Sequence, residues 1–258
     1  MSTITETSVL RSAFLKIGWA PLVTIGGSLI IFAITLIVGL NSYDSYHGNG
    51  VGLMKMMMIL SAAVGLAGYI ISYLGFAQAH KVFGTTRAGD AFATLKFFFL
   101  IYCIIGAIYL IVAILLPSSE QTYIDIVDNA EHNVKAWATV GILLIVVYII
   151  LTVFAIVSLF VIMNKTAVIA ATANIEAMRS CAAGARYAVY CFFAAIVVFI
   201  LAAAINSPAL IGICELALLG FGIFILVKWV GGWLEGATEV LRHPVEALDY
   251  DTTPAADE

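Results

Sequence analysis

The chain has 258 residues, of which 63% are hydrophobic and only 11% are charged. Soluble domains carry roughly 25% charged residues, and a soluble fold could not hide this much apolar surface from water. The formal net charge of −4 also argues against nucleic acid as a partner, because nucleic-acid-binding domains are basic.

The apolar residues lie in continuous blocks of about 20 or more, the length that an α-helix needs to cross a hydrocarbon layer roughly 30 Å thick. A segment in lipid must satisfy its own backbone hydrogen bonds, so each block is expected to form a helix. Transmembrane barrels show alternating segments of about ten residues instead. The sequence therefore predicts an all-α fold, a polytopic membrane helix bundle with about six transmembrane helices.

Polar turns separate the predicted spans, which occupy residues 20–40, 51–79, 97–116, 138–163, 187–205 and 209–233. Residues 1–19 are predicted to form a cytoplasmic N-terminal amphipathic segment, and residues 20–233 the transmembrane domain. Residues 234–258 are predicted to form a cytoplasmic amphipathic helix and an acidic tail. That helix should end near His243 and Pro244, since proline disfavours helix in the residue before it.

A short basic amphipathic segment precedes each helix that runs outward, at residues 9–16, 91–96 and 175–186. Apolar residues edged by lysine or arginine are typical of a helix lying in the headgroup plane. The pattern indicates three units, each made of a basic amphipathic helix and a hairpin. The alternative is that any inward flank of a membrane helix is basic.

Lysine and arginine are distributed unevenly between the two predicted sides of the membrane. Cytoplasmic flanks carry the excess of these residues, so the distribution places both termini in the cytoplasm. Only Lys55 and Lys135 fall outside. We therefore expect a multi-pass protein of a bacterial or archaeal cytoplasmic (inner) membrane. The lysines and arginines on the predicted cytoplasmic side are Arg11, Lys16, Lys81, Arg87, Lys96, Lys165, Arg179, Arg186, Lys228 and Arg242.

Lys55 and Glu215 are the ionisable residues placed well inside predicted apolar spans. Such residues are costly in a membrane and usually face a protein interior or a water-filled cavity. One interpretation is a structural ion pair, or a Lys55 side chain that reaches the interface. The other is a path for an ion or a proton. We expect the two side chains to approach one another.

Two weaker patterns could bind metal. Met54 and Met58 stand one helical turn apart, and thioethers suit cuprous ion. This pair resembles the Met-x-x-x-Met of small trimeric copper permeases, although the chain has twice their number of spans. Asp125, Asp128 and His132 share one side of a predicted amphipathic helix and could hold a divalent cation. The alternative explanation for the two methionines is adaptable packing, and for the second set it is a solvated helix face.

Glu176 and Ala177, in the loop after the fourth span, resemble the start of the coupling-helix segment of ABC importer permeases. The position of the loop between the fourth and fifth of six spans matches as well. The pattern departs from the family at Gly184, which lies eight residues after the glutamate rather than six. The closing Leu-Pro is missing. The resemblance implies a permease subunit and covers about a dozen residues.

Two classes of function remain open. The first is a non-catalytic subunit or scaffold of a membrane assembly, with the lipid bilayer and other membrane subunits, or further copies of itself, as partners. Small residues that permit close helix approach favour it. The alternative is a transport protein, either a channel or a permease subunit of an ABC-type or metal transporter, with Lys55 and Glu215 in its path. The small residues that favour the scaffold function are Gly65, Gly68, Gly75, Gly220 and Gly222.

No enzymatic activity is expected, because the sequence contains no phosphate-binding loop, His-Glu-x-x-His or nucleophile elbow. No cofactor is expected either. Axial haem ligation needs a buried histidine, and none of the four lies in the middle of a predicted span: His47, His80, His132 and His243.

Overall fold

The computed structural model describes residues 2–4, 6–41, 50–116, 134–205 and 208–247. Within these residues, six helices each contain a stretch that is long and apolar enough to cross a membrane. The prediction of an all-α, multi-pass membrane protein is therefore confirmed. The helices are α1 (Thr7–Asn41), α2 (Gly50–Phe83), α3 (Arg87–Leu115), α4 (Val134–Thr172), α5 (Met178–Ile205) and α6 (Pro208–Arg242).

Several helices are longer than the spans predicted within them. α1 has 35 residues and α4 has 39, so at ~1.5 Å per residue they exceed a hydrocarbon layer of roughly 30 Å. Residues 9–16 and 91–96 form the first turns of α1 and α3 rather than separate helices. Both segments continue into the spans as one helix, and α1 does so through Pro21. The predicted end near His243 is confirmed, because α6 stops at Arg242.

The chain divides into two compact units. The first unit comprises Met1–Pro21, Ile71–Phe99 and Ser158–Glu258, and the second comprises Leu22–Ile70 and Leu100–Val157. All ten lysines and arginines predicted on the cytoplasmic side belong to the first unit. Lys55 and Lys135 belong to the second. The uneven distribution of basic residues thus follows the division of the chain.

Side chains from the ends of the helices form a buried core in the first unit. The first turns of α1, α3 and α5 pack there with the last turns of α2, α4 and α6, and we call this region the basic end. Trp233 is fully buried in it, with Phe14, Phe76 and Phe92 around the indole ring. The other large core side chains are Leu10, Ile17, Phe83, Leu95, Ile169, Ile175, Met178, Val240 and Val245.

Two short strands, β1 (Ser2–Ile4) and β2 (Val245–Ala247), were not anticipated from the sequence. They pair antiparallel, with Ser2 opposite Ala247. On the other side of β2, the Asn174 amide N–H donates a hydrogen bond to the Glu246 carbonyl at 2.9 Å. Pro244 leaves the chain extended after α6. The strands therefore connect the N-terminus, the α4–α5 junction and the segment after α6.

The turn between α2 and α3 has well-defined caps. Gly84 has a positive φ of 54°, and its N–H donates to the His80 carbonyl at 2.9 Å, as expected for a glycine that ends a helix. Thr86 then starts α3, because its Oγ1 accepts a hydrogen bond from the Gly89 N–H at 3.1 Å. The chain therefore reverses direction between α2 and α3 within three residues, Gly84 to Thr86.

Small and aromatic side chains make close contacts between helices of the second unit. A Cβ added at Gly27 would meet Val64 Cγ1 at 2.5 Å, so α1 and α2 approach closely there. The Tyr69 and Tyr102 rings stack with centroids 5.3 Å apart, and Tyr102 also contacts Phe154. Small residues at close crossings are typical of helices in membranes, where lipid supplies no hydrophobic driving force between helices.

Candidate functional site

The two predicted intramembrane charges lie in different units. Lys55 is half-buried on α2 in the second unit, and Glu215 is exposed on α6 in the first. Their pairing stays a prediction. Met54 and Met58 lie on α2, with Met54 66% exposed and Met58 half-buried. These four positions are the sequence-derived candidates that the structure describes.

The other predicted metal ligands, Asp125, Asp128 and His132, lie outside the described residues, as does the acidic tail from residue 248. Among the residues that the structure does describe, no group of three or more His, Cys, Asp or Glu side chains is arranged to hold a metal ion.

Glu215 lies on an exposed stripe of α6. Gly212, Glu215, Leu219 and Gly222 follow at intervals of three, four and three residues, which places them on one side of the helix. We call these four residues the α6 stripe. Leu219 is 63% exposed, and a Cβ added at Gly212 or Gly222 would meet no described residue within 4 Å beyond its own stretch of α6. A carboxylate and two unfilled glycine positions are therefore presented together.

The glycines predicted to permit close helix approach behave in two ways. Gly75 is packed, because an added Cβ would lie 2.6 Å from Ile17 Cγ1 and 2.9 Å from the Ala13 carbonyl oxygen. Gly68 is buried. In contrast, an added Cβ has open space at Gly65, Gly220 and Gly222. Of these, Gly222 belongs to the α6 stripe, and it is unfilled by the described part of the chain.

On its other side, α6 packs against α5 at the basic end. A Cβ added at Gly184 would lie 3.1 Å from the Trp229 amide nitrogen and 3.2 Å from Lys228 Cβ. At Gly232 an added Cβ would collide with the Cys181 side chain. The two backbones can come this close only because these positions lack side chains.

Beyond this contact, α5 and α6 enclose an apolar groove of about 330 Å³. We call it the α5–α6 groove. The polar part of its lining is small and comes from two tyrosines and two cysteines. The groove is lined by Tyr187, Tyr190, Cys191, Ala194, Val198, Cys214, Ala217, Leu218 and Phe221. The lining residues recur at spacings of three and four along α5 and along α6, so the sequence indicates that each set shares one helix face. That the two faces form a groove depends on the pairing of the two helices.

At the start of α5, a carboxylate from α6 binds two backbone amides. The Glu239 oxygens accept hydrogen bonds from the Glu176 N–H at 2.6 Å and the Ala177 N–H at 2.9 Å. A negative charge beside a helix N-terminus is stabilised by the unpaired N–H groups and the helix dipole. A polar cleft of about 340 Å³ beside it includes Arg179 and His243. Sequence reasoning singled out Glu176 and Ala177 but missed Glu239.

Comparison of the chain with protein-family models, with curated proteins and with solved structures finds no match.

Proposed function

We propose that this chain is a non-catalytic subunit or scaffold of a membrane assembly in a bacterial or archaeal cytoplasmic membrane. In this proposal another membrane subunit, or a second copy of the chain, covers the α6 stripe. The observation that carries the proposal is the exposure of Glu215 within an apolar helix that is long enough to span a bilayer.

An exposed carboxylate inside a membrane helix is energetically costly. Glu215 lies seven residues beyond Pro208, the first residue of α6, which is ~10 Å along the helix. Insertion of a charge at the centre of a membrane helix costs about 2.5–3.5 kcal/mol, and intramembrane acids almost always face protein or a water-filled cavity. A lone chain would expose Glu215 to lipid, whereas a docked subunit would provide the protein environment.

The glycines of the α6 stripe support the same conclusion. Helices associate in membranes through close van der Waals packing at small residues and through polar side chains between helices. Gly212 and Gly222 flank Glu215 on one side of α6, and none of the described residues from elsewhere in the chain lies within 4 Å of a Cβ added at either position. The α6 stripe therefore combines both features of a helix-association surface.

The proposal is tested by the native mass of the protein after mild-detergent purification from its own membrane. The wild type should be recovered in a complex heavier than one chain. Gly222→Leu should release the single chain, because a Cβ at this position meets none of the described residues outside its own stretch of α6 and the larger side chain would displace a partner. Gly26→Leu is a matched control, since that position on α1 is also open. A wild-type monomer, or a complex that survives Gly222→Leu, would contradict the proposal.

The transport alternative assigns Lys55 and Glu215 to a path through the membrane. A double-mutant cycle of Lys55→Met and Glu215→Gln, scored by thermal stability in detergent, separates the two functions. If the side chains pair, either single change should cost more than both together, because the survivor is left as an unpaired charge. Recovery of stability in the double mutant together with loss of a solute flux would place transport ahead of the scaffold. If the stability losses of the two single mutants add up in the double mutant, the two side chains do not form a pair.

A further inference from the structure

The α5–α6 groove has the dimensions of one bilayer leaflet. Its lining on α5 runs from Tyr187 to Val198, which are eleven residues apart and therefore ~17 Å along the helix axis. One leaflet contributes about half of a hydrocarbon layer roughly 30 Å thick. An acyl chain that lies along the groove would therefore be covered over most of its length.

One end of the groove is closed by the tight contact between the two helices, and that end is cationic. The Tyr187 ring contacts the Phe224 ring with centroids 5.6 Å apart. The Lys228 ammonium lies 5.9 Å from the centroid of the same Phe224 ring, a distance typical of a cation–π contact. Lys228 itself is exposed. The Lys228 ammonium thus lies beside the Phe224 ring at the Tyr187 end of the groove.

A second cation lies at the same end. Arg186 is exposed and precedes Tyr190 by one helical turn, so the two residues lie on the same side of α5. Basic pockets between membrane helices recognise anionic headgroups, and each lysine or arginine near the surface contributes about 1 kcal/mol of attraction to anionic lipid.

We propose that the α5–α6 groove binds an anionic phospholipid, with one acyl chain along the groove and the phosphate between Lys228 and Arg186. The apolar lining matches the acyl chain, and the two cations at the Tyr187 end match the anionic head of an amphiphile. None of the four residues of the α6 stripe lines the groove, so the lipid and the subunit proposed above contact different residues of α6.

The probe is phosphatidylglycerol. The full-length protein would be reconstituted in nanodiscs of mixed phosphatidylcholine and phosphatidylglycerol, extracted with mild detergent and weighed by native mass spectrometry for retained lipid. The wild type should retain phosphatidylglycerol in preference to phosphatidylcholine. Lys228→Gln and Arg186→Gln should each weaken the preference about fivefold, the change that 1 kcal/mol produces. Ala194→Phe should fill the groove and reduce retention of the lipid itself.

Two controls keep the result specific. Lys81→Gln removes an exposed lysine at the basic end of α2, and Val197→Phe enlarges an α5 residue that is 56% exposed and does not line the groove. Neither should alter the retained lipid. Equal retention of the two lipids by the wild type would overturn the proposal. So would a loss of preference as large in Lys81→Gln as in Lys228→Gln, or unchanged retention in Ala194→Phe.

Discussion

At the scale of single residues, Trp233 is the centre of the buried core. It contacts Phe14 and Phe76 edge to face, with centroids 5.1 and 5.9 Å from its own ring. Within the part of the chain that the structure describes, its indole Nε1 has no hydrogen-bond acceptor. Buried tryptophans usually find one, but aromatic ring faces can accept an N–H weakly. The residue therefore contributes through packing.

Substitutions at this position should reflect packing alone. Trp233→Ala should lower the free energy of unfolding by about 3–5 kcal/mol, the cost of removing a large buried aromatic group. Trp233→Phe should cost less than half of that, because aromatic contacts are kept and no conventional hydrogen bond is lost. Thermal unfolding in detergent measures both. Trp19→Ala provides the control, since that side chain is 53% exposed. Similar losses for Trp19→Ala and Trp233→Ala would contradict this view of the core.

At the scale of elements, the end of α6 fixes the start of α5 through Glu239. Hydrogen bonds to charged groups contribute about 1.5–3 kcal/mol, and a carboxylate at a helix N-terminus gains a further fraction from the dipole. Glu239→Ala should therefore lower the unfolding free energy by about 2–3 kcal/mol, and Glu239→Gln by less, because an amide keeps one acceptor oxygen.

Glu235→Ala is the matched control for this experiment, because Glu235 is an exposed acid one turn earlier on α6. Hydrogen exchange at the Glu176 and Ala177 amides should accelerate in Glu239→Ala and remain slow in Glu235→Ala. Unchanged protection of both amides in Glu239→Ala would show that the carboxylate does not hold the start of α5.

The sequence predicted the helices well, because lipid solvation acts on each apolar block separately and length alone identifies a span. It predicted amphipathic helices at residues 9–16 and 91–96, but not that they are continuous with the spans in α1 and α3. Nor did it predict β1 and β2, since Ser2 and Ala247 meet only after the six helices have packed. Glu239 was missed for the same reason, because its partners Glu176 and Ala177 are more than 60 residues away.

At the scale of the whole molecule, the orientation follows from the basic residues of the first unit. We expect the α2–α3 turn to face the cytoplasm and residues 117–135 to face outside. A single cysteine would be introduced at Thr85, which is exposed in the turn, or at Ser119, in a cysteine-free background. An impermeant thiol reagent applied to intact cells should label position 119 and not position 85. Labelling of position 85 alone would show that the orientation is opposite to the one predicted.

The native assembly depends on what lies against the α6 stripe in the membrane. A photo-reactive amino acid placed at Leu219, within the α6 stripe, would sample that contact directly in intact membranes. Tyr148 on α4 is the matched control, because it is 71% exposed while Leu219 is 63% exposed. Our account predicts a covalent protein–protein product from position 219 and only lipid products from position 148. Lipid products alone from position 219 would contradict the proposal that another subunit covers Glu215.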